Sequence, residues 1–293
     1  MEESINMEEE QEVKTGLVLE GGGMRGIYTA GVLDIMMEHG ISFDGVIGVS
    51  AGAIHGCSFM SGQIGRSIRF YKKYCTDRRF MSFRNIIRTG DIVDEQFCYH
   101  ELPETLDPYD YDTFEHRKGK FYVTCTNLVT GKAEYLEITD IRQQIDLVRA
   151  SASLPYVSRI VEYDGKKLLD GGCSDSIPVN QFMKMGYEKN VVVLTRHKEY
   201  SKEPENAGMA KMYYRKYPRF VAAMKSRHKV YNNTRKLIKR LEEAGKVFVI
   251  SPSRQLAVGR TCHDAEVLQR AYDLGRQDTM RQLGNLEVFL ERK

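Results

Sequence analysis

The first part of the chain alternates between short apolar runs and longer segments of helical periodicity. Residues 16–19 form a short apolar run that stops at a glycine cluster, which predicts a buried strand. Residues 27–39 carry apolar side chains at helical spacing and end at a glycine, where helices commonly stop. A second apolar run, 46–49, ends at Ser50 and precedes the small, apolar segment 51–61. This order of strand, helix, strand and helix predicts a parallel sheet with right-handed crossovers.

The rest of the chain predicts further strands of the same sheet and a mainly helical C-terminal part. Strands are expected at residues 121–126, near 135–136, and at 191–195 and 247–250. Helices are expected over residues 140–152, 200–244 and 264–281, with mixed helices and loops over 63–118. Apolar and polar residues alternate over 159–169 on both sides of Asp164-Gly165, which strongly predicts a β-hairpin. Asp170 would directly follow its second strand.

A glycine cluster follows the first predicted strand. It consists of Gly21, Gly22, Gly23, Met24, Arg25 and Gly26. Glycines between a strand and a helix let backbone N–H groups converge at the helix N-terminus, where they form an anion site. The pattern permits a dinucleotide pyrophosphate loop, an oxyanion hole for acyl transfer, or a tight structural turn. A dinucleotide site needs an acidic residue at the end of the second strand, but Asp44 precedes that strand and Ser50 stands at its end. The position therefore favours an oxyanion hole.

The second motif, Gly48-Val49-Ser50-Ala51-Gly52, has the context of a nucleophile elbow. An apolar strand precedes it and a helix of small residues follows. On such a turn the serine is exposed, and the flanking Gly48 and Gly52 leave room for a substrate. The helix N-terminus also favours negative charge developing near Ser50. The alternative is that Ser50 only caps the helix that follows it.

The third motif is Asp170-Gly171-Gly172 at the exit of the predicted hairpin. An Asp-Gly pair usually marks a turn, and that interpretation needs no further function. The presence of the serine motif favours a second, catalytic interpretation, because a serine nucleophile needs a base. Asp170 is the candidate for that base.

Three segments, GLVLEGGGMRG, GVSAG and LLDGG, occur in this order and together resemble the patatin-like phospholipase family. The resemblance covers roughly residues 15–197, and TCTNLVTGKAEY and RASASLPYV add weaker similarity. It implies a three-layer α/β/α fold with a central, mostly parallel sheet. It also implies a serine esterase or lipid acyl hydrolase of the phospholipase A or lysophospholipase type, acting on a fatty-acyl ester without a cofactor.

The resemblance also assigns residues, position by position. It implies a catalytic dyad without histidine, with Ser50 as the nucleophile and Asp170 as the general base. The backbone around Gly22, Gly23 and Met24 would form the oxyanion hole. Arg25 stands at the family's basic position in that loop, and the D-G-G motif falls within the family's pattern.

Three other functions are compatible with these residues. His197 follows the predicted strand at 191–195, so the order Ser50, Asp170, His197 also fits the triad of an α/β-hydrolase esterase. The simpler interpretation of His197 is an exposed residue at the end of a strand. A nucleotide-dependent oxidoreductase would use the glycine cluster, and a non-catalytic lipid-binding protein would keep the fold without the reaction.

Net charge, histidine spacing and cysteine positions indicate which ligands and which cellular compartment to expect. A net charge of +3 is too small to indicate nucleic acid, and the seven histidines show no metal-binding spacing. The six cysteines are scattered, no apolar run is long enough to span a bilayer, and the N-terminus reads as an acidic segment without a signal peptide. Reduced thiols and a cytoplasmic location are therefore expected.

The C-terminal part differs in charge from the rest. Residues 211–240 hold eleven Lys or Arg and no Asp or Glu. Phe220, Met224, Tyr231 and Ile238 fall near one helical face of this segment. The segment is either an interfacial surface for anionic lipid at the membrane periphery, or a solvated basic helix that covers the core with its apolar stripe.

The predicted organisation has three parts. We expect a disordered acidic tail over residues 1–14, a catalytic core over 15–197, and a basic, mainly helical extension over 198–293 that packs on the core.

Overall fold

The computed structural model describes residues 13–206 and 208–292. The predicted acidic tail, 1–14, lies outside the described residues except for its last two positions. Lys14 is the first residue of a strand.

One mixed sheet organises the chain. Its strands within the described residues are β1 (Lys14–Leu19), β2 (Gly45–Val49), β3 (Lys120–Asn127), β4 (Ala133–Glu137), β5 (Val161–Tyr163), β6 (Lys166–Asp170), β7 (Tyr187–Val193) and β8 (Val247–Ile250). They lie in the order β5-β6-β3-β2-β1-β7-β8, with β4 paired to β3. Strands β3, β2, β1, β7 and β8 pair in parallel, and the β3–β4, β3–β6 and β5–β6 pairs are antiparallel. The predicted mostly parallel α/β fold is confirmed.

Helices cover both faces of the sheet. They are α1 (Ile27–Glu38), α2 (Ala51–Met60), α3 (Arg66–Tyr74), α4 (Phe83–Thr89), a π-helix (Phe97–Leu106), α5 (Tyr111–Glu115), α6 (Ile145–Ala152), α7 (Val179–Lys184), α8 (Gly208–Tyr213), α9 (Pro218–Glu243) and α10 (Ala265–Glu291). Short 3₁₀ turns span Gly23–Gly26 and Gly171–Cys173. None of the helices in the described ranges is long and apolar enough to cross a membrane.

Alternate side chains of β1 pack against different helical layers. Leu17 and Leu19 pack into a cluster with residues of α1, α2, α6 and α10, such as Tyr28 and Leu274. Val18 points to the opposite face, where it joins a cluster with residues of α7 and α9 such as Phe182. Because successive strand residues face opposite sides of a sheet, this alternation produces three layers.

The C-terminal extension contributes to the sheet and to its helical cover. Strand β8 pairs with β7, and α10 lies directly against α1. The two helices touch backbone to backbone, since a Cβ built at Gly31 would lie 2.1 Å from Tyr272 O and one at Gly275 would lie 2.1 Å from Tyr28 O. The division of the chain at residue 197 stays a prediction.

Three segments differ from the sequence-based expectation. The final helix, α10, was predicted to end at residue 281 and runs to Glu291. Residues 63–118 contain three short helices and a ten-residue π-helix, where only mixed structure was predicted. Helix α6 begins at Ile145, later than the predicted residue 140. The Gln144 side chain accepts hydrogen bonds from the backbone N–H groups of Thr139 and Asp140, which holds these residues in a turn.

Candidate active site

The ends of two strands meet at one edge of β3. Strand β4 occupies the other edge of β3, so β2 and β6 share this one. The last pair with β2 joins Val49 to Thr124, and the next residue of β3, Cys125, pairs with Asp170 at the end of β6. Because β6 runs antiparallel to β3, its last residue arrives at the point where β2 ends. Register alone therefore brings Asp170 next to Ser50.

Ser50 adopts a backbone conformation that is rare for a residue with a side chain. Its φ is 55° and its ψ is −121°. The Ser50 N–H donates to Ser151 Oγ at 2.9 Å, and that hydroxyl donates to Thr124 O at 2.7 Å. This chain of bonds holds the strained turn between β2 and α2. The Ser50 hydroxyl makes no capping bond to α2, so the helix-cap interpretation finds no support.

The glycines of the serine motif are required by close packing around the turn. A Cβ built at Gly48 would lie 2.6 Å from the backbone of Ala53, and one at Gly52 would lie 2.5 Å from Leu19 O. A Cβ at Gly26 would lie 2.6 Å from the Cβ of Ala51. Gly26 is thus a packing residue between α1 and α2.

Asp170 is buried and held from two sides. The Gly172 N–H donates to Asp170 Oδ1 at 2.7 Å, and the Thr126 hydroxyl donates to the Asp170 carbonyl at 2.8 Å. A Cβ at Gly171 would lie 2.1 Å from Thr124 O, so the turn needs a glycine there. Burial raises the pKa of Asp170, while hydrogen bonding to the Ser50 side chain and the charge of Arg227 act in the opposite direction.

The glycine cluster presents backbone donors beside the serine. A Cβ at Gly21 would lie 3.2 Å from the Cβ of Ser50, so the loop runs against the turn. The N–H groups of Gly22 and Gly23 have no protein acceptor in the described part of the chain. The Met24 N–H donates to Arg260 O at 3.1 Å, so this predicted oxyanion donor is already occupied.

An apolar cavity of about 140 Å³ opens at Ser50. Its walls come largely from α2, α3, the π-helix and α6. They include Ile54, Phe70, Phe80, Leu102, Ile145 and Val148. Most of the aromatic and aliphatic lining belongs to the segment 63–118, whose role was not predicted.

A second, polar cavity of about 310 Å³ opens on the other side of the serine. Ser50, Gly23, Ile92, Leu154 and Arg260 line both cavities, so the two meet there. The charged residues of the polar cavity are Glu20, Arg25, Asp170, Arg196, Lys202, Glu205, Arg227 and Arg260. A molecule bound across Ser50 would therefore have one apolar and one polar environment.

His197 lies outside this arrangement. Its Nδ1 is 3.1 Å from Glu199 Oε2, and the histidine lines neither cavity. His55 is fully buried against Ser67, and burial lowers its pKa to about 3. The structure does not bring Ser50, Asp170 and His197 together as a triad.

The predicted apolar stripe of the basic segment faces inward. Phe220, Met224, Tyr231 and Ile238 are buried. The structure therefore supports the alternative in which residues 211–240 form a solvated basic helix, because its apolar side chains cover the core. Exposed apolar side chains occur at the start of this segment, at Met212 and Tyr213, and outside it at Met209, Phe83 and Ile87.

The residues that hold and surround Ser50 and Asp170 were not predicted from the sequence. Ser151 lies in the segment RASASLPYV, but nothing marked it as the partner of the Ser50 backbone. Arg196 follows β7 at the carboxyl edge of the sheet, where ligands of α/β folds commonly bind, and that position was the one available signal. Lys202, Arg227 and Arg260 had no comparable signal.

Comparisons with known proteins match two parts of the chain. A family model described as patatin-like phospholipase matches residues 17–183. A second model, described as a domain of unknown function (DUF6363), matches residues 217–291.

Individual relatives cover different shares of the chain. The uncharacterized protein YjjU of Escherichia coli (strain K12) is 33% identical over 186 residues, covering 62% of this chain and 52% of that protein. Lysophospholipase NTE1 of Meyerozyma guilliermondii is 29% identical over 185 residues, covering 61% of this chain and 12% of that protein. VipD from Legionella pneumophila has a TM-score of 0.45 at 15% identity, covering 93% of this chain and 67% of that one. The chain thus spans about half of the length of YjjU and about an eighth of the length of the yeast NTE1.

Proposed function

The chain belongs to the patatin-like phospholipase family, and from this premise we propose that it hydrolyses the carboxylic ester of a lipid. Ser50 is the nucleophile and Asp170 is its base. The observation that carries the proposal is the meeting of a strained serine and a buried carboxylate where an apolar and a polar cavity join. The lysophospholipase name of the yeast relative agrees with this class of substrate.

The reaction follows from the arrangement in two steps. Asp170 accepts the hydroxyl proton as Ser50 Oγ bonds to the ester carbonyl carbon, and the carbonyl oxygen becomes an oxyanion. When the tetrahedral intermediate collapses, the bond to the leaving alcohol breaks and Asp170 returns the proton to the alcohol oxygen. Water then attacks the acyl-serine, Asp170 takes its proton, and the fatty acid leaves as Ser50 is restored.

Backbone donors stabilise the oxyanion. The Gly22 and Gly23 N–H groups are available, whereas the Met24 N–H already has Arg260 O as its acceptor. Donors of this kind act without reorganisation in a site that excludes water, and losing one typically costs about 100–1,000-fold in turnover. We therefore narrow the proposed oxyanion hole from the whole glycine cluster to these two residues.

The two cavities divide the substrate. The acyl chain fits the cavity lined by α2, α3, the π-helix and α6, because apolar burial there is favourable. The alcohol part of the ester then lies in the polar cavity. This division gives the ester carbon one position, at Ser50.

Contact with a membrane surface is part of the proposal. Phe83 is 76% exposed and lines the polar cavity, and Ile87 on the same face of α4 is 89% exposed. Arg84 and Arg88 flank them on this helix. Exposed apolar side chains among cations favour an anionic lipid surface, and here they adjoin the entrance to the site.

Labelling with a fluorophosphonate probe tests the nucleophile. The wild-type chain is expected to become covalently labelled, Ser50→Ala to stay unlabelled, and the exposed Ser253→Ala to label like the wild type. Hydrolysis of a panel of phospholipid, lysophospholipid and glyceride esters should follow the same pattern. An unlabelled wild type that still binds lipid vesicles would instead favour the non-catalytic lipid-binding function.

A further inference from the structure

Five cations from four separate segments of the chain converge on the polar cavity. They are Arg25, Arg196, Lys202, Arg227 and Arg260. Three carboxylates face them, at Glu20, Asp170 and Glu205. The cavity therefore carries an excess of positive charge before any substrate enters, and the question is whether the carboxylates neutralise it.

The carboxylates are largely committed to other partners. Glu20 accepts hydrogen bonds from the Thr195 N–H at 2.6 Å and from the Tyr231 hydroxyl at 2.7 Å. Glu205 lies 3.3 Å from Arg260 and 3.6 Å from Arg227, measured between oxygen and nitrogen. Two of the five cations thus have a carboxylate within ion-pair distance.

The other three cations lack such a partner. In the part of the chain that the structure describes, the side-chain nitrogens of Arg25, Arg196 and Lys202 have no carboxylate within 4.0 Å and donate no hydrogen bond. The Arg196 guanidinium lies over the Tyr200 ring and Lys202 Nζ over the Tyr231 ring, contacts that leave their N–H donors available to a ligand. Arg25 is only 8% exposed, and its buried Nε has no acceptor. An unpaired buried cation is costly, so its retention beside a cavity points to a ligand that pairs with it.

We propose that the polar cavity binds the phosphate group of the substrate, so that the preferred ester is an anionic acyl glycerophospholipid. The inference rests on the proposed ester hydrolysis, because it places the phosphate on the alcohol side of the bond that Ser50 attacks. Guanidinium groups suit phosphate, since their planar donors bind two oxygens at once. Arg25, Arg196 and Lys202 are the residues that contact it.

The same charges set a selectivity among headgroups. A headgroup that carries its own cation, such as choline, adds a positive charge to a cavity that already has an excess. An anionic headgroup with a neutral alcohol, such as glycerol, adds none. We therefore expect anionic lipids to be hydrolysed faster than zwitterionic ones, and both to differ from uncharged glycerides.

The test measures kcat/KM on three esters of the same acyl chain: an anionic lysophosphatidylglycerol, a zwitterionic lysophosphatidylcholine and a neutral monoacylglycerol. Arg196→Gln and Lys202→Gln should each lower kcat/KM on the anionic ester by roughly 10-fold or more, since a hydrogen bond to a charged group contributes about 1.5–3 kcal/mol. The loss on the neutral ester should be several-fold smaller. Lys239→Gln, an exposed cation on the same helix as Arg227, is the matched control and should leave all three rates unchanged.

The outcomes separate this inference from the proposed function. Absence of hydrolysis on all three esters would remove the proposed function itself. Hydrolysis without headgroup preference, together with an equal loss of kcat/KM on every ester in the Gln variants, would contradict the phosphate site. It would not contradict the proposed hydrolase activity. Inhibition by inorganic phosphate without preference for anionic lipid would show a site for free phosphate, which also overturns the inference. Competitive inhibition by glycerol 3-phosphate, weakened in both Gln variants, supports it.

Discussion

The proposed catalytic pair and the proposed phosphate site come from different parts of the chain. Ser50, Asp170 and the glycine loop lie within residues 17–183, which match the patatin-like phospholipase family. Apart from Arg25, the cations of the polar cavity lie after residue 195, and Arg227 and Arg260 fall in the region that matches a domain of unknown function. The proposed reaction therefore depends on the first matching region alone. The proposed phosphate contacts come from Arg25 in that region and from Arg196 and Lys202, which lie between the two matching regions.

The largest expected effect comes from the catalytic pair. Ser50→Ala should lower kcat by at least roughly 1,000-fold, because no nucleophile remains. Asp170→Asn should lower it by about 100–10,000-fold, since the amide can still accept the Gly172 N–H bond but cannot take a proton. Steady-state kinetics on a neutral soluble ester measure both. His197→Ala is the control, and a collapse there equal to that of Ser50→Ala would restore the triad.

Motifs with local causes could be predicted from the sequence. The strands β1 and β2, the helices α1 and α2, and the hairpin around Asp164-Gly165 follow from periodicity and turn chemistry within a few residues. Both hairpin turn residues have positive φ, 47° and 69°, as such a turn requires. Family membership and the three-layer fold were therefore accessible from residues close together in the chain.

Features assembled from distant residues could not be predicted. The polar cavity collects its cations from segments between residues 25 and 260, and no local pattern links them. The apolar cavity depends on how α3 and the π-helix fold over α2, whereas residues 63–118 read only as mixed structure. The engagement of the Met24 N–H by Arg260 O also joins distant segments, so the oxyanion hole could be predicted only as a whole loop.

The contact between α1 and α10 tests whether the two regions fold together. Gly31→Ala places a methyl group 2.1 Å from Tyr272 O, so the helices must separate. Overpacking of this kind typically lowers the free energy of unfolding by about 1–3 kcal/mol. Urea unfolding followed by circular dichroism measures it. Gly284→Ala on α10 is the matched control, because nothing lies within 4 Å of its added Cβ. Equal stability of the two variants would contradict the close contact.

Substitution of Ser151 is expected to have a smaller effect, confined to the turn at Ser50. Ser151→Ala removes the acceptor of the Ser50 N–H bond and the donor to Thr124 O. We expect a roughly 10-fold loss in kcat with little change in KM, because the strained turn loses its support and one buried N–H loses its partner. Ser151 acts as a positioning residue, so Ser151→Thr, which keeps a hydroxyl, should recover part of the rate. A loss confined to KM, or no rescue, would argue against this role.

The pH dependence of hydrolysis probes the base directly. Burial raises the pKa of Asp170 above 3.8, the ordinary value, and only the carboxylate can accept the serine proton. Activity is therefore retained at high pH and lost as pH falls through the raised pKa, by about tenfold per pH unit below it. The profile of kcat/KM on a neutral ester measures this limb. A flat profile between about pH 4 and pH 9 would contradict Asp170 as the base.

The smallest effect concerns Lys202 in the polar cavity and appears at alkaline pH. Burial and the charges of Arg227 and Arg260 lower the pKa of Lys202 to about 8, although Glu20 and Glu205 act in the opposite direction.

Above that pH Lys202 loses its charge, so KM for an anionic phosphodiester lipid should rise a few-fold while KM for a neutral ester stays constant. Lys202→Arg keeps a cation at high pH and should abolish the rise. If the arginine variant shows the same rise as the wild type, another group titrates, and Lys202 does not distinguish the two kinds of substrate.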